Sequence, residues 1–111
     1  MTSLIASTVI LQAVLAPQVR TASVYHPRFH NRTMANGRPY RHHAVSLASN
    51  DWPLGTILAV SHGRVTIRAK VTDRMAVRFS QRRIDLSGGA WKALTNGAKP
   101  GLRRVTVRVL P

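Results

Sequence analysis

Alternation of apolar and polar residues is the clearest order along this chain. Across residues 64–72, Val65, Ile67, Ala69 and Val71 fall on one side of an extended segment, and Arg64, Thr66, Arg68, Lys70 and Thr72 on the other. Residues 103–109 repeat the logic, with Val105, Val107 and Val109 inward and Arg104, Thr106 and Arg108 outward. Shorter runs at 44–48, 56–61 and 83–86 have strand length. Turn chemistry separates these runs: Asn36-Gly37 and His62-Gly63 are turn pairs, and residues 33–40 read as a loop. One short helix is predicted over 88–96, with Ser87 as N-cap, Gly97 just past its end, and Trp91 and Leu94 facing the other elements. Strand-length runs broken by turn residues predict a small all-β barrel, and the outward arginines give it a basic wall.

The barrel domain is expected over residues 20–111. Residues 1–19 carry no charged side chain, and 4–16 form a mostly apolar run with small residues near its end. That length suits the apolar stretch of an export signal and is short for a membrane span. Val14-Leu15-Ala16 offers a small-residue cleavage signal, while Pro17 and the lack of a basic leader count against it. The alternative is an apolar strand or helix belonging to the folded domain. The 111 residues allow one domain with a small core.

The charge balance is far from ordinary. Against 17 Lys+Arg there are three acids, Asp51, Asp73 and Asp85, giving a net charge of +14. Such an excess favours polyanionic partners: nucleic acid, anionic lipid or lipopolysaccharide, or the carboxylates of peptidoglycan stems. It does not choose among them. No helix-turn-helix or RNA-binding signature occurs, so no specific nucleic acid is expected. The chain has no cysteine, which excludes disulfides, thiolate metal sites, a thiol nucleophile and a cysteine-linked lipid anchor. No serine triad or phosphate loop is present, and no cofactor is expected. His26, His30, His42 and His43 lack the acidic or thiol partners of a metal site, and Pro27 opposes the helix that would align His26 with His30.

Five blocks carry a family resemblance: Ala-Ser-Val-Tyr at 22–25, Thr-Met-Ala-Asn-Gly at 33–37, Pro-Leu-Gly-Thr at 53–56, Val-Thr-Asp-Arg at 71–74 and Arg-Ile-Asp-Leu-Ser at 83–87. In this order and spacing they resemble the rare lipoprotein A (RlpA)-like family of bacterial cell envelopes. The resemblance implies a six-stranded double-psi β-barrel, export to the periplasm or envelope, and a monomer acting on peptidoglycan glycan strands. Some members are lytic transglycosylases, which cut the strand and close an anhydro ring on the sugar. By the same resemblance Asp73 is the catalytic acid/base in a groove on the barrel. Asn36, Gly37, Arg38, Tyr40, Ser49 and Arg74 are the substrate-binding positions around it.

Two polar positions depart from the family's pattern. Arg38 stands where members usually carry glutamate, and Ser49 where they usually carry histidine; Met75-Ala76 also replaces a common Gly-Pro. A second carboxylate beside Asp73 would help keep it protonated, whereas Arg38 and Arg74 favour the ionised form, which is a poor general acid. Binding is less affected, because guanidinium groups suit the carboxylates of a peptidoglycan stem. Asp73 could equally pair with an arginine or cap loop backbone. Asp85 reads as structural, stabilised by the helix N-terminus or by Arg82 and Arg83. Tyr25, Tyr40 and Trp52 are candidates to stack on sugar rings or to pack in the core. Three readings follow: a lytic transglycosylase, a glycan-binding barrel without the chemistry, and a basic nucleic-acid-binding module.

Overall fold

The structure, a computed structural model, describes residues 16–76, 78 and 82–111. The apolar run at 4–16 and its cleavage signal therefore lie outside the described residues, apart from Ala16. The strands are β1 (Gln18–Val24), β2 (Ser46–Ala48), β3 (Ile57–His62), β4 (Val65–Asp73), β5 (Arg83–Leu86) and β6 (Arg103–Val109). One α-helix, α1 (Gly88–Thr95), lies between β5 and β6, and a 3-10 turn covers Pro27–Phe29. Among the described residues the strands close into a barrel in the order β1-β5-β2-β4-β3-β6. The pairs β1–β5 and β2–β4 are parallel and the others antiparallel. A small six-stranded all-β barrel with one short helix is thus the observed fold class.

The alternation read from sequence is what closes it. Ala69 and Val71 of β4 and Val105 and Val107 of β6 are buried, and they join Leu58, Val60, Ile84 and Leu86 in one core. Arg68 and Lys70 on the opposite face of β4, and Arg104 and Arg108 on that of β6, are not buried. Arg68 and Arg108 both pair with Ala59 of β3, which is itself buried although it lies on the outer face. Long arginine stems can cover such a small residue while their charged ends stay in water. Helix α1 adds Ala90, Trp91 and Leu94 to the core. It starts where Ser87 accepts the Ala90 N–H and stops at Asn96, which is left-handed at φ 57°, followed by Gly97 at φ 78°.

Two boundaries differ from expectation by two residues. β1 starts at Gln18, where Gln18 pairs with Val107 and Val19 with Thr106, so a domain edge at residue 20 would cut the strand. Its sequence, Gln-Val-Arg-Thr-Ala-Ser-Val, has one buried residue, Ala22, and hence no strong alternation to read. The run at 44–48 contributes only Ser46–Ala48, because Ala44 is held in a turn: its N–H goes to Arg41 O and its carbonyl accepts the Ser87 hydroxyl.

Candidate active site

Three strands set two carboxyl groups in one row. On β5, Asp85 pairs with Ser23 of β1 on one side and with Ala48 of β2 on the other. Ala48 in turn pairs with Asp73 of β4. Strict alternation would put Asp73 on the same side as Val71, facing the core. A register shift intervenes: Leu47 pairs with Val71 but Ala48 with Asp73, leaving Thr72 as an extra residue. Such a bulge re-aims the residues after it, and here it turns Asp73 to the outer face beside Ala48. The two aspartates lie two strand spacings apart, about 10 Å between backbones.

The chain between β1 and β2 folds over this row. The Thr72 carbonyl, released by the bulge, accepts the Asn36 N–H at 3.2 Å. Within the loop, Gly37 at φ 83° donates to Met34 O, and Asn36 Oδ1 accepts the Arg38 N–H at 3.0 Å. The result is a cavity of about 500 Å³ walled by Tyr25, Phe29, Met34 and Tyr40, with Asp73 and Asp85 both in its lining. Tyr25 stacks on Tyr40 at 4.4 Å between ring centres and meets the edge of Phe29 at 6.1 Å.

The two carboxyl groups have different surroundings. Asp73 accepts three hydrogen bonds: from the Tyr25 hydroxyl at 2.7 Å, from Ala35 N–H at 2.8 Å and from Arg74 N–H at 2.9 Å. It is an acceptor on both oxygens, as a carboxylate is. Asp85 takes one hydrogen bond, from Ser23 Oγ at 3.0 Å, and its other oxygen has no partner among the described residues. Burial pushes the Asp85 carboxyl above its ordinary value; the Ser23 bond and the Arg83 charge oppose this, and the Asp73 charge adds to it. The same burial, with the Asp73 bond and charge, pushes the Tyr25 phenol well up, so it stays a donor. Tyr40 is pushed up to about 12, mainly by burial.

Several expected roles change. Asp85 was expected to be structural, stabilised by the helix N-terminus or by Arg82 and Arg83; the Arg83 charge does act on it, and it also lines the cavity. The first N–H groups of α1 are used elsewhere: Gly88 on the Tyr40 hydroxyl, Gly89 on His42 O and Ala90 on Ser87 Oγ. Ser49 is fully buried; its Oγ accepts Asp51 N–H and its carbonyl accepts Arg74 Nη1, so it cannot touch a ligand. Arg74 lines the cavity, yet its guanidinium is tied to the Ser49 and Trp52 carbonyls, both at 2.7 Å. Arg38, Asn36 and the rest of that side of the loop face a separate cavity, so Arg38 is not part of the wall around Asp73. Gly37 shapes the loop. Tyr40 is 1% exposed and acts as the platform beneath Tyr25 rather than as a free stacking surface. Trp52 lies away from the cavity, under Arg20, whose Nε is 3.0 Å from Asp51.

His30, His42 and His43 do come together beside this loop, with ring centres 5.4 Å apart for His42–His43 and 6.5 Å for His30–His43. His30 Nδ1 accepts the His42 N–H, and His42 Nδ1 meets the Tyr40 hydroxyl at 2.9 Å. Among the described residues no three such side chains are placed to hold a metal ion. Sequence reasoning missed Asp85 and Ser23 as site residues; the signal present was Arg-Ile-Asp-Leu-Ser at 83–87, the block that runs in parallel beside Ala-Ser-Val-Tyr at 22–25.

No family model matches the chain, and no curated protein matches it. Among solved structures it is similar to Streptomyces papain inhibitor (SPI), with a TM-score of 0.70 over 88% of this chain and 97% of that one, at 21% identity. At that identity the likeness is one of fold, a small β-barrel.

Proposed function

We propose that this chain is an exported cell-envelope protein that takes a peptidoglycan glycan strand into the aromatic cavity and cleaves it as a lytic transglycosylase. The observation that carries this reading is the pair of carboxyl groups in unlike environments in one aromatic-walled cavity. Such a pair divides acid and base work. Asp85, held toward its protonated form, is the general acid and gives its proton to the glycosidic oxygen as the C1–O4 bond breaks. The C6 hydroxyl of the same sugar attacks C1, and its proton passes to Asp73. The anhydro ring closes without water, Asp85 is left ionised and Asp73 protonated, and solvent exchange resets the pair. The ordered blocks at 22–25, 33–37, 53–56, 71–74 and 83–87, similar to the RlpA-like family, supply the substrate class and the compartment.

One observation favours a second reading, a glycan-binding barrel without chemistry: both oxygens of Asp73 are already hydrogen-bonded. The test is digestion of purified sacculi by the full chain, with soluble products analysed by mass spectrometry beside Asp85→Asn and Asp73→Asn. Anhydro-sugar ends that fall at least about 100-fold in Asp85→Asn, and a rate that declines as pH rises, support the acid assignment. Co-sedimentation with sacculi and no product from any variant would leave the binding barrel.

A further inference from the structure

The loop that walls the aromatic cavity has a second face. Across it lies a cavity of about 360 Å³ into which Arg38, Arg41 and Lys70 all project part of the lining; Met34 borders both cavities, so the two meet over one side chain. No acid lines this second cavity. All three acids of the chain are elsewhere: Asp51 is paired with Arg20, and Asp73 and Asp85 lie in the aromatic cavity. Arg41 donates to Asn31 Oδ1, while the Arg38 and Lys70 side chains have no hydrogen bond or ion pair among the described residues. Three cations around one concavity without a counter-charge form a site for an anion.

The cations are also held by ordered backbone. Arg38 follows the Gly37 turn, its N–H fixed by Asn36 Oδ1 and its carbonyl by Met34 N–H. Lys70 projects from the middle of β4, paired with Ser46 and Ile57. The volume accommodates one sugar ring or a carboxylated substituent. Arg68, Arg104 and Arg108 line neither this cavity nor the aromatic one; they stand on the outer faces of β4 and β6.

We infer that this cationic cavity is a subsite for the carboxylate of an acidic sugar, with Arg38 and Lys70 as its principal donors, adjoining the glycan held against Tyr25. The inference rests on the glycan reading above and names the substrate feature that the site selects. An acidic amino sugar bearing a carboxylated side group fits it. Its uncharged ester does not, because the ester leaves the three cations without a partner.

The test is a titration of the isotope-labelled full chain, followed by amide NMR shifts. The probes are N-acetylmuramic acid, its methyl ester and inorganic phosphate. The acid is expected to shift the amides of Arg38, Arg41 and Lys70, and the ester to bind about tenfold more weakly. Arg38→Glu and Lys70→Glu, with unchanged thermal midpoints, are expected to abolish the response. Equal response to acid and ester, shifts confined to the strand of Arg104 and Arg108, or displacement of the acid by equimolar phosphate would each overturn the carboxylate assignment. Sacculi separate this failure from that of the glycan reading. If Arg38→Glu binds sacculi as wild type does, the subsite fails and the glycan reading stands. If sacculi are neither bound nor cut while the acid still shifts these amides, the reverse holds.

Discussion

The Tyr25 hydroxyl donates to Asp73 Oδ2 at 2.7 Å, across 48 positions of sequence, and ties the end of β1 to the end of β4. The bond joins the aromatic wall to the carboxyl row, because the same Tyr25 ring stacks on Tyr40. Tyr25→Phe keeps the ring and removes the donor. The expected cost is about 1–1.5 kcal/mol in unfolding free energy, within the range for a hydrogen bond to a charged group discounted for partial exposure. Glycan binding through the ring should persist while any cleavage falls, since Asp73 then loses one of three fixed donors. Denaturant unfolding together with sacculus binding measures both; an unchanged midpoint would mean the bond contributes nothing.

Among the described residues, Ser87 is the most heavily used hydroxyl. Fully buried, it accepts from Ala90 N–H at 3.1 Å and Ser46 N–H at 3.0 Å, and it donates to Ala44 O at 2.6 Å. Ser87→Ala removes an N-cap and strands three backbone groups at once, for an expected loss of about 3 kcal/mol. Ser61→Ala, which breaks the exposed Ser61–Thr66 contact, should stay within about 0.5 kcal/mol. Comparable midpoints for the two variants would refute the bridging role.

Adjacent glycines at the start of α1 make unlike demands. A Cβ on Gly89 would lie 2.3 Å from His43 O and 2.6 Å from Ala44 O, both backbone atoms that cannot swing away. A Cβ on Gly88 would meet the His42 ring at 2.3 Å, and a ring can move. Gly89→Ala is expected to cost about 3 kcal/mol or more, the upper range for overpacking, and Gly88→Ala less. In a His42→Ala background the penalty at Gly88 should largely vanish and that at Gly89 should remain. A double-mutant cycle on thermal or denaturant stability reads this directly.

How far these features were legible in sequence depends on the kind of contact. β4, β5, β6 and the Ser87 cap follow from local alternation and cap chemistry, and they occur where these predict, with β4 shifted by a residue. β1 was not legible as a strand, because its stability comes from pairing with β5 and β6 rather than from an apolar face of its own. Asp73 stood out by its motif, but which way it faces did not: alternation from Val71 points it into the core, and only the extra residue Thr72 reverses it. Asp85 joined the site through Ser23, 62 positions earlier, and through Ala48, neither of which carries a chemical signal. Arg38 was placed beside Asp73 by motif spacing alone, yet the loop it sits on has two faces.

Acid acts on Asp85 and His42 in opposite directions. Asp85 has a folded-state pKa raised by burial, so between its unfolded value of 3.8 and its folded value the native state binds the proton more readily. Stability from this group therefore rises as pH falls through that window, and at neutral pH the ionised group is a liability. His42 has a folded-state pKa lowered from 6.5, first by burial and then by the charges of His43, His30 and His26. The unfolded chain takes that proton first, so stability is lost as pH falls below 6.5 toward the folded value. The two groups thus oppose each other in the acid range, and single variants separate them. Asp85→Asn, whose amide oxygen can still accept from Ser23, should raise the thermal midpoint relative to wild type at neutral pH and lose that advantage below pH 3.8. His42→Gln should do the opposite, gaining on wild type as the solution is acidified below pH 6.5. Thermal midpoints against pH for the three proteins decide it: parallel curves would mean that neither group titrates differently in the folded barrel.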